Sequence, residues 1–326
     1  MIMWKRIVLL ASLAASVAAS AGGSTWAQPY PSKPLRLILP YTAGSPNDVI
    51  ARLVAPSLSE RLGQAVVVDN RAGGGTTVGL RAVMNAEPDG YTLLFSNTPT
   101  HVIAAAVAKG FSYDPVKDFV PIATFGASTL ALVVPASLPV GSLPEFIAYA
   151  KAHPGTLNFG FGQGTLPHLV GDALLVMAGV DLGRIPYRGG TQAVTDMLGG
   201  RIQMLLSATA TLMPLIRAGK LKALAVSSPQ RHRDLPAVPT MAESGFPALT
   251  TVTYYGMLGP AGLPADIVGR LNRDANEILA SPDLRASLLK VGFEPQAGSP
   301  QDFAALIAGQ LQQWAPVVKA TGFQME

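Results

Sequence analysis

Short apolar runs alternate with stretches of helical period along this chain, and that alternation constrains the fold more than any other feature. "LRLILP", "AVVVD", "YTLLFS", "TLNFGFG", "RIPYRG", "RIQMLLS" and "LKALAVSS" read as strands. The segments between them carry apolar residues at helical spacing. Strands separated by helices need crossover connections, so the expectation is an α/β architecture on parallel sheets. The first helix pattern starts near Asn47, which can cap it, and puts Val49, Ile50, Leu53, Val54, Leu58 and Leu62 on one face. Pro56 inside that pattern predicts a kink. "SLPEFIAYAKAHPG" predicts a helix opened by a capping box of Ser142 and Glu145. Three helix patterns beginning near Pro264, Ser281 and Ser299 close the chain.

Two apolar stretches, "VPIATFGASTLALVVPA" and "LTTVTYYGMLGPA", are too long for one ordinary strand each. They read as strands that run from one lobe into another. The expected division is a discontinuous first lobe, 28–126 plus 253–326, and a continuous second lobe, 127–252. No internal repeat of fixed period is present.

Residues 1–27 carry a separate signal. Lys5 and Arg6 precede "IVLLASLAASVAAS", which is too short to span a bilayer, and Thr25 and Ala27 give small-residue cleavage-site spacing. This reads as a secretory signal peptide cleaved after Ala27. Its removal takes the formal charge from +4 to +2, by loss of two cations. The chain has no Cys, which excludes a disulfide framework, thiolate chemistry and a lipid-modified Cys anchor. The expectation is a mature protein free in the periplasm of a Gram-negative cell, away from cytoplasmic nicotinamide and ATP pools. Of its 326 residues only 13% are charged, and the cations are scattered, so no stripe for nucleic acid is present.

Catalytic and metal motifs are absent. His101, His153, His168 and His232 have no ligand spacing, and neither H-E-x-x-H nor G-x-S-x-G occurs. No cofactor is expected. "GFGQGT" follows a strand and precedes a helix, but its third glycine is one place early for a dinucleotide fingerprint. Its backbone N–H groups suit any small anion near a helix N-terminus, or the stretch is simply a tight connection. The turn "YTAGSPND" poses the same question. Asp48 either caps its own helix or meets a ligand's ammonium or hydroxyl group.

"YPSKPLRLILPYTAGSPNDVIARLVAPSLSERLGQAVVVDNRAGGGTTVG" resembles the start of the Bug family, the periplasmic solute receptors of tripartite tricarboxylate transporters. "PDGYTLLFSNT", "YDPVKDF", "HPGTLNFGFGQGTLPHL", "IPYRGGTQAVTDMLGGRIQMLLS", "AGKLKALAVSSPQRHRDLPAVPTMAESGFP" and "GPAGLPADIVGRLN" resemble later family blocks in the same order, over residues 30–323. The resemblance implies a two-lobed clamshell periplasmic binding protein with two crossing strands and no catalysis. It implies a small carboxylate ligand, held by backbone N–H groups and ordered waters at loop-to-helix turns. A membrane permease of the tripartite tricarboxylate type is the implied partner, and a monomer the implied state. The rival readings are a secreted α/β enzyme on a small acid, a nucleotide-binding domain, or a receptor that reports to a signalling system.

Carried onto this chain, the resemblance implies a first-lobe wall of Tyr41, Thr42, Ala43, Gly44 and Asp48, with Thr76, Thr77, Ser96, Asn97 and Thr98. The second lobe would bring Gln163, Gly164, Thr165 and His168, then Gly189, Gly190 and Thr191, then Ser207 and Thr209. Tyr254 and Tyr255 would sit near the crossing, and His168 is alternatively a core histidine. The chain departs from the family pattern in three places. Ser45 and Pro46 replace glycines of the first turn, and Pro46 removes a backbone donor. Ser207 stands where an Asp is common, which argues against an amino acid ligand. Tyr254 and Tyr255 stand where an aromatic pair headed by Trp is usual.

Overall fold

A computed structural model of the protein describes residues 30–107, 113–163, 165–187 and 190–321. The chain divides into two compact units, Met1–Ser32 and Lys33–Glu326. The expected signal peptide lies outside the described residues.

The second unit carries two sheets. The first contains β1 (Leu35–Leu39), β2 (Val66–Asn70), β3 (Thr92–Asn97), β4 (Phe119–Ser128), β10 (Thr253–Pro260) and β11 (Glu294–Pro295), in the order β11-β4-β10-β3-β1-β2. The second contains β5 (Leu130–Pro135), β6 (Asn158–Gly162), β7 (Gly183–Tyr187), β8 (Met204–Ala208) and β9 (Leu221–Val226), in the order β7-β6-β8-β5-β9. Helices α1 (Pro46–Leu62), α2 (Thr77–Met84) and α3 (Thr98–Val107) follow strands of the first sheet. Helices α4 (Leu143–Ala152), α5 (Leu166–Ala178), α6 (Gly190–Leu198) and α7 (Thr209–Arg217) lie between strands of the second. The chain closes with α8 (Ala265–Leu279), α9 (Pro282–Lys290) and α10 (Pro300–Thr321).

The sheets are mixed, not parallel throughout as the alternation predicts. β1 pairs in parallel with β2 and β3, and β6 with β7 and β8. The antiparallel pairs all involve the crossing strands and their neighbours: β10 with β3 and β4, β11 with β4, and β5 with β8 and β9. A strand that leaves a sheet for its neighbour and one that returns must run in opposite directions where they lie side by side.

The two long apolar stretches behave differently. "VPIATFGASTLALVVPA" supplies one strand to each sheet, with Thr129 alone between Ser128 and Leu130. In "LTTVTYYGMLGPA" the strand is confined to Thr253–Pro260. Residues 249–252 lead into it from the second sheet, where Thr251 N donates to Ser227 O at 2.7 Å.

Alternation along β5 divides the interior. Leu130, Leu132 and Val134 join a core that also takes Ile38 and Leu94 of the first sheet and Trp314 of α10. Ala131 and Val133 face a second core with Met197, Leu205 and Val226. Each fully buried Leu or Val contributes about 1.5–3 kcal/mol before chain entropy is counted.

Local signals resolve in detail. Ser45, not Asn47, caps α1: its Oγ accepts from Asp48 N at 3.3 Å, and Pro46 takes the first helical position. Proline belongs there because the first-turn N–H it lacks has no helical partner anyway. The helix runs through Pro56 to Leu62. Ile50, Val54, Leu58 and Leu62 are buried as expected, but Val49 is exposed and Leu53 half-buried, since the stripe shifts to Ala51 and Ala55. Ser142 caps α4 through Glu145 N at 3.3 Å, while the Glu145 carboxylate reaches one residue further back, to Gly141 N at 2.7 Å. Gly292, at φ 70°, packs on the first turn of α7, where a Cβ would stand 1.7 Å from that of Ala210.

Candidate functional site

The turn after β1 is held by its own side chains. Asp48 is buried, 4% exposed, at the start of α1. Arg52 Nε donates to both its oxygens at 3.0 Å, Asn70 Nδ2 to Oδ1 at 3.0 Å, and Gly44 N to Oδ2 at 2.9 Å. Burial pushes this carboxyl up, but the bonds from Arg52, Gly44 and Asn70 outweigh it and hold the group below the usual carboxylate range. Asp48 is therefore committed inside its own lobe. Between the two alternatives, its geometry is that of an internal staple. Thr42 and Ala43 are exposed, and their backbone N–H groups have no partner among the described residues.

Tyr41 links this turn to β3. Its hydroxyl lies 3.0 Å from Ser96 Oγ and accepts from Asn97 N at 3.5 Å. Asn97 Nδ2 in turn donates to Asn47 Oδ1 at 3.5 Å. Thr98 is turned elsewhere: it is buried, and its hydroxyl donates to Gln310 Oε1 of α10 at 3.0 Å. Thr76 adopts φ 83°, rare for a residue with a Cβ, and its buried Oγ1 has no partner among the described residues. Thr77 Oγ1 donates to Gly74 O at 2.8 Å.

In the second lobe Gln163 is exposed at the end of β6. Thr165 is the N-cap residue of α5, yet its hydroxyl donates backward to Gly162 O at 2.8 Å and makes no cap bond. His168 stacks on Phe161 with centroids 3.7 Å apart, and its Nε2 lies 3.2 Å from Asp172 Oδ2. Arg184 Nε donates to the other oxygen at 3.0 Å. Burial raises the Asp172 pKa, and the bonds from His168 and Arg184 outweigh it, so the carboxyl stays below its ordinary range. His168 has the setting of a packed histidine. Gly164 and Gly189 lie outside the described residues, as do the surroundings of Gly190 and the Thr191 side chain.

Ser207 is half-buried on β8, opposite Ala131. Thr209 serves the crossing: its backbone N donates to Thr129 O at 2.9 Å, and its hydroxyl to the same oxygen at 3.0 Å. Tyr255 is buried with its hydroxyl 3.3 Å from Ser128 Oγ and its ring edge against Phe293. Register places it opposite Asn97, whose backbone N donates to the Tyr41 hydroxyl. Burial pushes its phenol up to about 12 and raises that of half-buried Tyr254 too. Both stay protonated at neutral pH, as hydroxyl donors.

Sequence reading missed Arg52, Asn70, Ser128 and Ser227, and took Asn47 as a cap where it accepts from Asn97. The i,i+4 spacing of Asp48 and Arg52 was an available signal. The rest depend on strand register. Two cavities, of about 500 and 280 Å³, lie away from the predicted site residues. Lys33, Arg36, Arg71 and Asp89 line the larger, and Arg217, His232, Arg233 and Glu294 the smaller. Among the described residues no group of three or more His, Asp or Glu is placed to hold a metal. What the assembled groups offer is neutral hydroxyls and backbone donors at helix starts, a chemistry suited to a small anion.

Residues 50–323 match the model of the tripartite tricarboxylate transporter family receptor. The chain belongs to this family. It is 35% identical over 314 residues to protein BugT of Bordetella pertussis, covering 96% of this chain and 95% of that one. Two solved structures share its architecture. Rpa4515 of R. palustris with adipate is 32% identical, with a TM-score of 0.81 over 91% of this chain and all of that one. MatC of Rhodopseudomonas palustris with bound malate is 28% identical, with a TM-score of 0.79 over 89% of this chain and all of that one. The receptor is thus an α/β protein of the two-lobed periplasmic binding class, in a family of solute receptors that serve transport.

Proposed function

We propose that this receptor captures a small carboxylate between its lobes and closes over it for delivery to a permease of the tripartite tricarboxylate type. The ligand class is a di- or tricarboxylate, or an aromatic or related organic acid. The observation that carries the reading is the turn at Thr42 and Ala43. Two exposed backbone donors are held at the start of α1, while the nearest acid, Asp48, is already neutralised by Arg52. An anion docking there meets N–H groups and the positive end of a helix without facing a free negative charge. The adipate and malate of the two solved relatives support the same class. Ser207 offers no counter-charge for an ammonium, which argues for an acid without an amino group.

In this reading the lobes are 28–126 with 253–326, and 127–252, and closure bends the segments around Thr129 and residues 249–252. The protein is exported, cleaved after Ala27, and works as a periplasmic monomer. It is a receptor and not an enzyme, which fits a His101 packed in the core and a His168 engaged by Asp172.

The test is a thermal-shift screen of residues 28–326 with di- and tricarboxylates, acidic amino acids, and aromatic and nicotinate-type acids. A ligand of the folded state adds about 2.7 kcal/mol of stability at a hundredfold excess over Kd. A shift with one acid class supports the reading and names the class. No shift with any acid, after refolding to strip ligand carried through purification, overturns it.

A further inference from the structure

We infer that Asn70 is a positioning residue for the anion-binding turn: its side-chain amide holds both ends of the segment Tyr41–Gly44 and so presents the N–H groups of Thr42 and Ala43. Asn70 ends β2 and sits opposite Leu39, the last residue of β1. The turn leaves its sheet at that point. A side-chain amide has two N–H donors and one carbonyl acceptor, and here all three are engaged. Nδ2 donates to Tyr41 O at 3.2 Å and to Asp48 Oδ1 at 3.0 Å, while Oδ1 accepts from Arg52 Nη2 at 2.9 Å.

The first bond fixes the entry of the turn through the Tyr41 carbonyl. The second fixes its exit at one remove, because Asp48 Oδ2 accepts from Gly44 N at 2.9 Å. Gly44 adopts φ 79°, so its amide is turned inward and occupied. The third bond closes a ring of Asn70, Asp48 and Arg52 that keeps the guanidinium on Asp48. A turn held at both ends loses little conformational freedom when an anion docks, which is how preorganisation raises affinity. Asn70 itself need not touch the ligand. The inference rests on the carboxylate reading for its consequence, but the geometry of the turn can be tested without any ligand.

Two variants of the purified protein decide it. Asn70→Ala removes all three bonds. Asn70→Asp keeps the shape and the acceptor for Arg52 but has no donor for Tyr41 O, and it sets a second carboxylate against Asp48. Amide exchange at Gly44 is read by NMR, melting temperature by calorimetry, and affinity with whichever acid of the panel binds the wild type. The expected result is exchange at Gly44 faster by about tenfold and affinity lower by about tenfold in both variants, the scale of one hydrogen bond. The melting temperature should move by only a few degrees. A residue that merely fills space would be satisfied by Asp, so wild-type exchange and affinity in Asn70→Asp overturn the inference. So does unchanged exchange in Asn70→Ala, or faster exchange with affinity intact. If no acid binds the wild type, the carboxylate reading fails on its own, and the Gly44 exchange rate still decides whether Asn70 holds the turn.

Discussion

His101 illustrates how one buried side chain sets a pH limit. Burial pulls its pKa down to about 4, against a smaller opposing effect of the bond between Nε2 and the Pro115 carbonyl at 2.9 Å. Phe119 packs edge-on to the ring, and Nδ1 has no partner among the described residues. The folded protein therefore holds a neutral imidazole, while the unfolded chain takes up a proton near the ordinary value of 6.5. Stability from this group is complete above 6.5 and falls as pH drops toward 4, by about 3 kcal/mol at 1.36 kcal/mol per unit. Urea unfolding at pH 7 and pH 4.5 should show that loss, and His101→Phe should flatten the slope even if it lowers stability at pH 7. An unchanged slope would remove His101 as its source. Thr165 stands at the start of α5 without capping it. Its hydroxyl bonds Gly162 O and caps nothing, so Thr165→Phe should cost about 1 kcal/mol of stability yet abolish carboxylate binding. Unchanged affinity would displace the second-lobe wall from this helix start.

The crossing segments are joined to each other as elements. Ser227, fully buried just past β9, accepts from Leu130 N at 2.9 Å through its Oγ and donates to Thr251 O at 2.8 Å. Its backbone pairs with the same two residues, donating to Leu130 O and accepting from Thr251 N. One serine therefore ties the outgoing crossing to the returning one. On the other side α10 reaches the returning segment, with Gln310 Nε2 on Val252 O and Gln313 Nε2 on Thr250 O, both at 2.6 Å. Ser227→Ala would strand a buried N–H and a buried carbonyl together, at about 1–3 kcal/mol for each unsatisfied group. A fall of several degrees in melting temperature is expected, and a shift under one degree would mean that water replaces the hydroxyl. Ser227→Cys, with a weaker donor and acceptor, should fall between.

In the proposed reading, closure bends the two crossings about Thr129 and residues 249–252. If closure accompanies capture, the radius of gyration in solution should fall when the binding acid is added, and the change should saturate with the thermal shift. A radius unchanged by a ligand that raises the melting temperature would separate binding from closure. The formal charge of +4 for the whole chain, or +2 after the expected cleavage, is too small to steer an anion from a distance. In the proposed reading, the local donors of the turn rather than the overall field set selectivity.

The amino-acid pattern set the class of the molecule: alternating strand and helix periods made it α/β, and of two overlong apolar stretches the first marked where the chain passes from one sheet to the other, while the second holds a strand of the first sheet alone. Both signals are local, because period and length follow from backbone geometry within one segment. It also located the turn at Tyr41–Gly44, a helix near Asn47 that in fact opens at Pro46, and a helix after "GFGQGT", since these signals act within a few positions. What those residues do depends on which distant segments the fold sets beside them. Asp48 became a staple because register sets Asn70 opposite Leu39, thirty-one positions along the chain. Thr98 turned to Gln310 and Thr209 to Thr129 for the same kind of reason. The mixed direction of the sheets, and the bridging role of Ser227, likewise depend on which strands lie side by side. Hydrogen bonds between distant segments depend on strand order and register, and no window of sequence contains either.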